Sequence, residues 1–219
     1  MIIVCDSSSL ISLAETCNID CLRYLTEKTR AEFVIPPSVT REIVDRPIQL
    51  KEYAFSAIRL KKQLDDRVIT ERPLKNQSAY QQILNYSNSV YSVNRTPLKI
   101  MHPGETECLA LYKELNAAAV LIDEKTARLL VESPQKLQDS LQSEYRGGVQ
   151  LNANALGQLS SLISGVNVLR SSEALEIAAE KGFYEGYKDK NAAKNAALYA
   201  LRRSGCSITT SELDEYSSL

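Results

Sequence analysis

The chain has 219 residues, 44% of them hydrophobic and 24% charged, a composition that suits one large globular domain or a domain with a small appendage. Its formal net charge of −1 gives no global pull toward nucleic acid or anionic membrane. No apolar run approaches the roughly 20 residues of a membrane span, so no membrane role is expected.

The N-terminal MIIVCD lacks a signal-like basic start. Residues 2–5 are an apolar, β-branched run that predicts a central strand. Asp6 ends it, and Ser7-Ser8-Ser9 leads into a helix carrying Leu10, Leu13 and Ala14. Alone, Asp6 could simply be a helix cap. Residues 19–25 read as a second helix and 33–35 as a second strand, stopped by Pro36-Pro37. A helix from about Ser38 carries Val39, Glu42 and Ile43 and ends at Pro47. Residues 48–67 have the pattern of one long helix, and 68–70 that of a short strand. Cys17 and Cys21, at i,i+4, could share a helix face as packing residues. Five cysteines without a CxxC pair fit a reducing interior, and a cytoplasmic protein is expected.

Residues 72–104 contain no Asp or Glu. They do contain Arg72, Lys75, Arg95 and Lys99, interleaved with Tyr80, Tyr86 and Tyr91. Bases among rings suit single-stranded nucleic acid, and a polar insertion of helix and loop accounts for them equally. His102 then precedes Pro103-Gly104 and a helix with Cys108, Leu111, Tyr112 and Leu115 at helical spacing, with Glu105 and Glu107 in its first turns. Residues 118–122 are a strand-length apolar run, Asp123 stands at its end, and 126–131 continue as a helix. Residues 134–165 break the rhythm and read as a helical insertion, including a helix over 151–163. Residues 166–169 are the last strand, followed by Arg170-Ser171-Ser172 and a helix up to Lys181-Gly182. Residues 187–203 are a basic helix, and Thr209 to Glu212 has the spacing of a capping box.

Alternating strands and helices at this spacing predict an α/β fold, a three-layer α/β/α sandwich with a parallel central sheet and helical insertions at about 72–103 and 134–165. Asp6 and Asp123 would project from strand ends, Glu42 from a helix after a strand, and Glu105 or Glu107 from a helix before one. The crevice beyond the strand ends is where such sheets bind ligands. Packed carboxylates repel unless protonated or shared by a hard cation, and oxygen-only ligands suit Mg²⁺ or Mn²⁺. Such an ion activates water and stabilises charge on phosphate, chemistry that needs no histidine. The single histidine excludes HExxH and multi-histidine zinc sites, and no GxxxxGK[ST] or GxGxxG occurs.

These residues carry a resemblance. DSSSLI, IPPSVTREI, GETECLALYKEL and LIDEKTAR resemble the PIN-domain ribonucleases, more narrowly the branch with GExE and LIDDxxAR-type blocks. VLRSSEALEIAAEKGF resembles that branch's last strand and helix. The resemblance implies metal-dependent endonucleolytic cleavage of single-stranded RNA. It places Asp6, Glu42 and Asp123 at the metal, with Glu105 favoured over Glu107 as the third-block acid. Ser8 and Ser171 would support the carboxylates. Apart from the resemblance, the acid-free run with its rings is expected to contact RNA or lid the cleft, with Arg95, Lys99 and Lys125 as the candidate RNA contacts. Many relatives are toxins held by a small antitoxin, and many form dimers, so an antitoxin or other protein partner and a homodimer are implied. Ser171-Ser172 stands in place of Gly-Thr, keeping a hydroxyl but altering the turn, and the two insertions depart from compact toxins and suit a larger processing nuclease or an interaction surface. The competing reading is a PIN-like RNA- or protein-binding module with weak or lost catalysis. A phosphotransferase would want an aspartate where Ser8 stands.

Overall fold

Runs that are apolar at every position are satisfied only where a strand is buried on both faces, and the sheet is built from such runs. The structure, a computed structural model, describes residues 1–213. In chain order it places β1 (Ile2–Cys5), α1 (Ser7–Glu15), α2 (Asp20–Thr29), β2 (Glu32–Ile35), α3 (Pro37–Thr40), α4 (Ala54–Asp65), β3 (Ile69–Glu71), α5 (Gln77–Ser87), β4 (Tyr91–Val93), β5 (Thr96–Pro97), α6 (Pro103–Leu115), β6 (Ala119–Leu121), α7 (Lys125–Glu132), α8 (Pro134–Glu144), β7 (Val149–Leu151), α9 (Ala153–Leu162), β8 (Val168–Leu169), α10 (Ser171–Glu180) and α11 (Lys190–Arg203).

Five strands form a parallel sheet in the order β3-β2-β1-β6-β8, with helices flanking it as the alternation predicts. Register pairs Ile3 of β1 with Phe33 on one side and Ala119 on the other. Val4, Cys5, Val34, Ile35, Val120 and Leu121 are all buried. The chain adds strands outward from β1 through β2 to β3, then crosses to build β6 and β8. The order therefore reverses between β1 and β6, the switch point beyond whose carboxyl ends sheets of this kind bind ligands.

Several local expectations need correction. The helix after β2 is broken: α3 gives way to a π-helical turn over Arg41–Asp45, closed by the Arg46 amide on the Arg41 carbonyl. Such single turns commonly mark functional positions, and this one carries Glu42. The predicted helix over 48–67 starts only at Ala54, because a 3-10 turn at Pro47–Gln49 diverts the chain, leaving Leu50 exposed. Cys17 sits outside α2 with a left-handed φ of 63°, while Cys21 is buried within it, so they share no helix face. The capping box at Thr209 is present: its amide donates to Glu212 Oε2 at 2.7 Å, and Glu212 donates back to Thr209 Oγ1 at 3.2 Å.

The segments expected as helical insertions are not purely helical. From the first come α5, β4 and β5; from the second, α8, β7 and α9. β4 pairs antiparallel with both β5 and β7, so the two segments join in a three-stranded sheet. Ile83, Val90, Tyr91, Leu141, Val149 and Leu159 fall in the same contiguous hydrophobic cluster as the parallel sheet. Tyr91 is buried, its hydroxyl donating to the Pro134 carbonyl at 2.7 Å, so it cannot stack on a base.

Candidate functional site

The acids gather at the crevice because the strands that carry them are neighbours. Asp6 directly follows β1, and its amide donates to the Leu121 carbonyl at the end of β6. Asp123 follows β6 by two residues. Asp6 caps α1: its Oδ2 accepts the Ser8 amide at 3.0 Å and the Ser8 hydroxyl at 2.7 Å. Ser8 Oγ also accepts the Asp123 amide at 3.2 Å, so one hydroxyl spans both strand ends. Asp6 Oδ1 is buried and has no hydrogen-bond partner. An unpartnered buried carboxylate oxygen is costly, and burial, aided by the charge of Glu42, raises the Asp6 pKa despite the Ser8 bonds.

Glu42 reaches the same place from the π turn. Ser7 Oγ donates to its Oε2 at 2.8 Å. Its carboxylate lies against Gly104, where an added Cβ would stand 3.1 Å from both Glu42 oxygens. Gly104 is in the first turn of α6, where unpaired amides and the helix dipole favour an anion. Glu105, the next residue, is 8% exposed, and its Oε2 accepts the His102 amide at 2.6 Å. Burial pushes its pKa to about 8, with the charges of Asp6, Glu124 and Glu42 adding to the rise. Glu105 therefore holds its proton through much of the neutral range.

Glu107 goes elsewhere. Its Oε2 accepts the Ser38 amide of α3 at 3.3 Å, since residues two apart on a helix do not share a face. Asp123 is buried and turned toward β8: its Oδ1 accepts the Ser171 amide at 2.8 Å and its Oδ2 the Ser171 hydroxyl at 2.6 Å. Among the described residues no three His, Cys, Asp or Glu side chains are grouped so as to hold one metal ion as they stand. The convergence expected from the sequence is therefore looser than a ready-made cage. Glu42, Glu107 and Asp123 each spend oxygens on protein donors.

The donor set still fits a hard divalent cation. Mg²⁺ keeps several waters and needs only one or two carboxylates, and Asp6 presents an unused buried oxygen beside the charges of Glu42 and Glu105. Sequence reasoning missed Glu124, which caps α7 by accepting the Ala127 amide at 2.5 Å and adds to the field at Glu105. The acidic pair in LIDE was the available signal. It also missed Gly104 and Ser7, whose roles appear only once the π turn is seen. Arg95, Lys99 and Lys125 are exposed.

Residues 2–135, more than half of the chain, match a family model described as a PIN domain. The match takes in Asp6, Glu42, Glu105, Glu107 and Asp123 and stops before Ser171. No curated protein and no solved structure matches the chain.

Proposed function

The chain belongs to the PIN-domain family, whose members are generally nucleases, and on that premise we propose that it is a metal-dependent endoribonuclease cutting single-stranded RNA. The observation that carries this reading is the buried, unpartnered Oδ1 of Asp6 at the sheet's switch point, beside Glu42 and the proton-holding Glu105. Asp6, Glu42 and Glu105 would hold Mg²⁺ or Mn²⁺, with Asp123 a further ligand or an orienting group. When bound, such an ion activates water and stabilises the negative charge developing on phosphate.

The chain's own residues set the stage. Ser8 fixes Asp6 by two bonds and ties it to the Asp123 backbone. Ser171 orients Asp123 by two more. Ser7 and the bare Cα of Gly104 seat Glu42 at the amino end of α6. The raised pKa of Glu105 means that coordination through it releases a proton near neutrality, so ion affinity rises with pH.

One observation favours a second reading, a binding module with weak or lost catalysis: both Asp123 oxygens already accept bonds from Ser171. Incubation with structured and unstructured RNAs in Mg²⁺, Mn²⁺ or EDTA separates the two. The nuclease cuts unstructured RNA in either ion and not in EDTA; the module binds RNA and leaves it whole. No helix among the described residues is long and apolar enough to cross a membrane. A cytoplasmic setting, a homodimer and an antitoxin-like protein partner belong to the same proposal.

A further inference from the structure

The two inserted segments join as the small sheet, and one end of that sheet is basic. Val93 pairs with Thr96 and with Val149, so the Asn94-Arg95 turn and the connection before β7 lie at the same end. A Cβ on Gly148 would stand 3.9 Å from Val93 Cγ1, which sets the second connection against the first hairpin. Arg95 and Arg146 are both exposed, and neither side chain makes an ion pair or hydrogen bond among the described residues. Tyr145, next to Arg146, is 40% exposed. Glu144 is the one acid adjoining this end in sequence.

The opposite end of the small sheet is rooted beside the acids. After β5 the chain is clamped by Asn88, whose Oδ1 accepts the Ile100 and Met101 amides at 2.7 and 2.9 Å, and then enters α6 at Pro103, in the turn that carries Glu105. The second segment leaves after Glu132, at the end of α7 opposite its Glu124 cap, so the first segment alone leads back to the acids. Three strand residues span about 10 Å, so the basic end stands off from the acids by at least that scale.

We propose that Arg95, Tyr145 and Arg146 form a docking site for single-stranded RNA, separate from the acidic cluster. The guanidinium groups grip phosphates and the tyrosine ring stacks on a base. Guanidinium forks match phosphate oxygens, and an exposed ring face accepts any base. The inference takes its substrate class from the nuclease reading. Tyr145 supplies the stacking ring, since Tyr91 of the acid-free run is buried, and Arg146 adds a second arginine from a distant part of the chain. RNA long enough to reach from the acids to this end gains contacts that a short oligonucleotide cannot make.

The test uses the full chain in EDTA with labelled unstructured RNAs of about 20 and about 4 nucleotides. The variants are R95E/R146E, Y145A and R95G/R146G. The last keeps the fold, because glycine favours the left-handed φ values of 64° and 51° found at these positions. K188E/R203E, one residue just before α11 and one at its end, both exposed, is a control with the same charge change. Both arginine variants should weaken binding of the longer RNA about tenfold or more and reduce the slope of log affinity against log salt by about 1.4. Y145A should weaken it too, while the control stays as wild type and the short RNA binds the wild type more weakly than the long one. Binding of the longer RNA unchanged in the variants, absent from the wild type, or equally weakened in the control would overturn the proposal. Cleavage in Mn²⁺ is scored separately. Cutting by the wild type with tip variants binding normally removes this site and keeps the nuclease. Tip-dependent binding without any cutting does the reverse.

Discussion

Glu42 rests on Gly104, with no room between its carboxylate and the first turn of α6 for even a methyl group at ordinary contact distance. Gly104→Ala should shift the carboxylate by a few tenths of an ångström from its seat on that turn. Because alanine is at least as good as glycine in a helix, the melting temperature should hold or rise slightly. RNA cleavage in Mn²⁺ should fall by about 10-fold or more, the scale of a lost supporting contact. Parallel melting and cleavage measurements check this split between stability and activity.

Ser8→Ala removes the hydroxyl donor to Asp6 Oδ2 and the acceptor for the Asp123 amide together. Asp6 Oδ2 keeps the Ser8 amide, but the Asp123 amide loses its acceptor, and an unsatisfied buried donor costs about 1–3 kcal/mol, so urea unfolding should show a loss of that size. Cleavage should drop by about 10–100-fold.

Glu105 gives the metal-free protein a pH signature. Its ordinary pKa of 4.5 rises to about 8 on folding, so the folded state holds more protons than the unfolded state between those values. The stability this contributes is fully present below about pH 4.5 and is lost as pH climbs through about 8. Burial of Asp6 acts in the same direction. Melting curves in EDTA from pH 5 to 9 should therefore decline with pH, and Glu105→Gln should flatten the decline. Mn²⁺ should raise the melting temperature more at high pH than at low.

Arg170 ties residues 207–212 to the sheet. It is buried, pairs with Glu173 at 3.0 Å and Glu212 at 2.8 Å, and donates to the Ser207 carbonyl at 3.1 Å. Arg170→Ala should cost about 3 kcal/mol in chemical denaturation, the low end for breaking a buried pair, because both glutamates are partly exposed. Cleavage should fall as well, since the neighbouring Ser171 holds Asp123.

Much of this arrangement could be read from the residues. The runs at Ile2–Cys5 and Ala119–Leu121 are apolar at nearly every position, which only a doubly covered strand explains, and the aspartates beyond them mark the strand ends. What stayed hidden depends on distant pairing or on subtle backbone. The strands Tyr91–Val93 and Val149–Leu151 are three residues each and acquire meaning only from each other. The π turn at Glu42 leaves no periodic trace in five residues. Glu105 and Glu107 look equivalent in the sequence, and only the packing of α6 against α3 sends Glu107 to Ser38.

The most direct measurement compares wild type and Asp6→Asn on an unstructured RNA in Mn²⁺, Mg²⁺ and EDTA, with melting curves for both proteins. The account predicts ion-dependent cutting by the wild type and a loss of at least about 100-fold in a folded Asp6→Asn variant. Cutting that survives in EDTA, or proceeds undiminished in the variant, would contradict it.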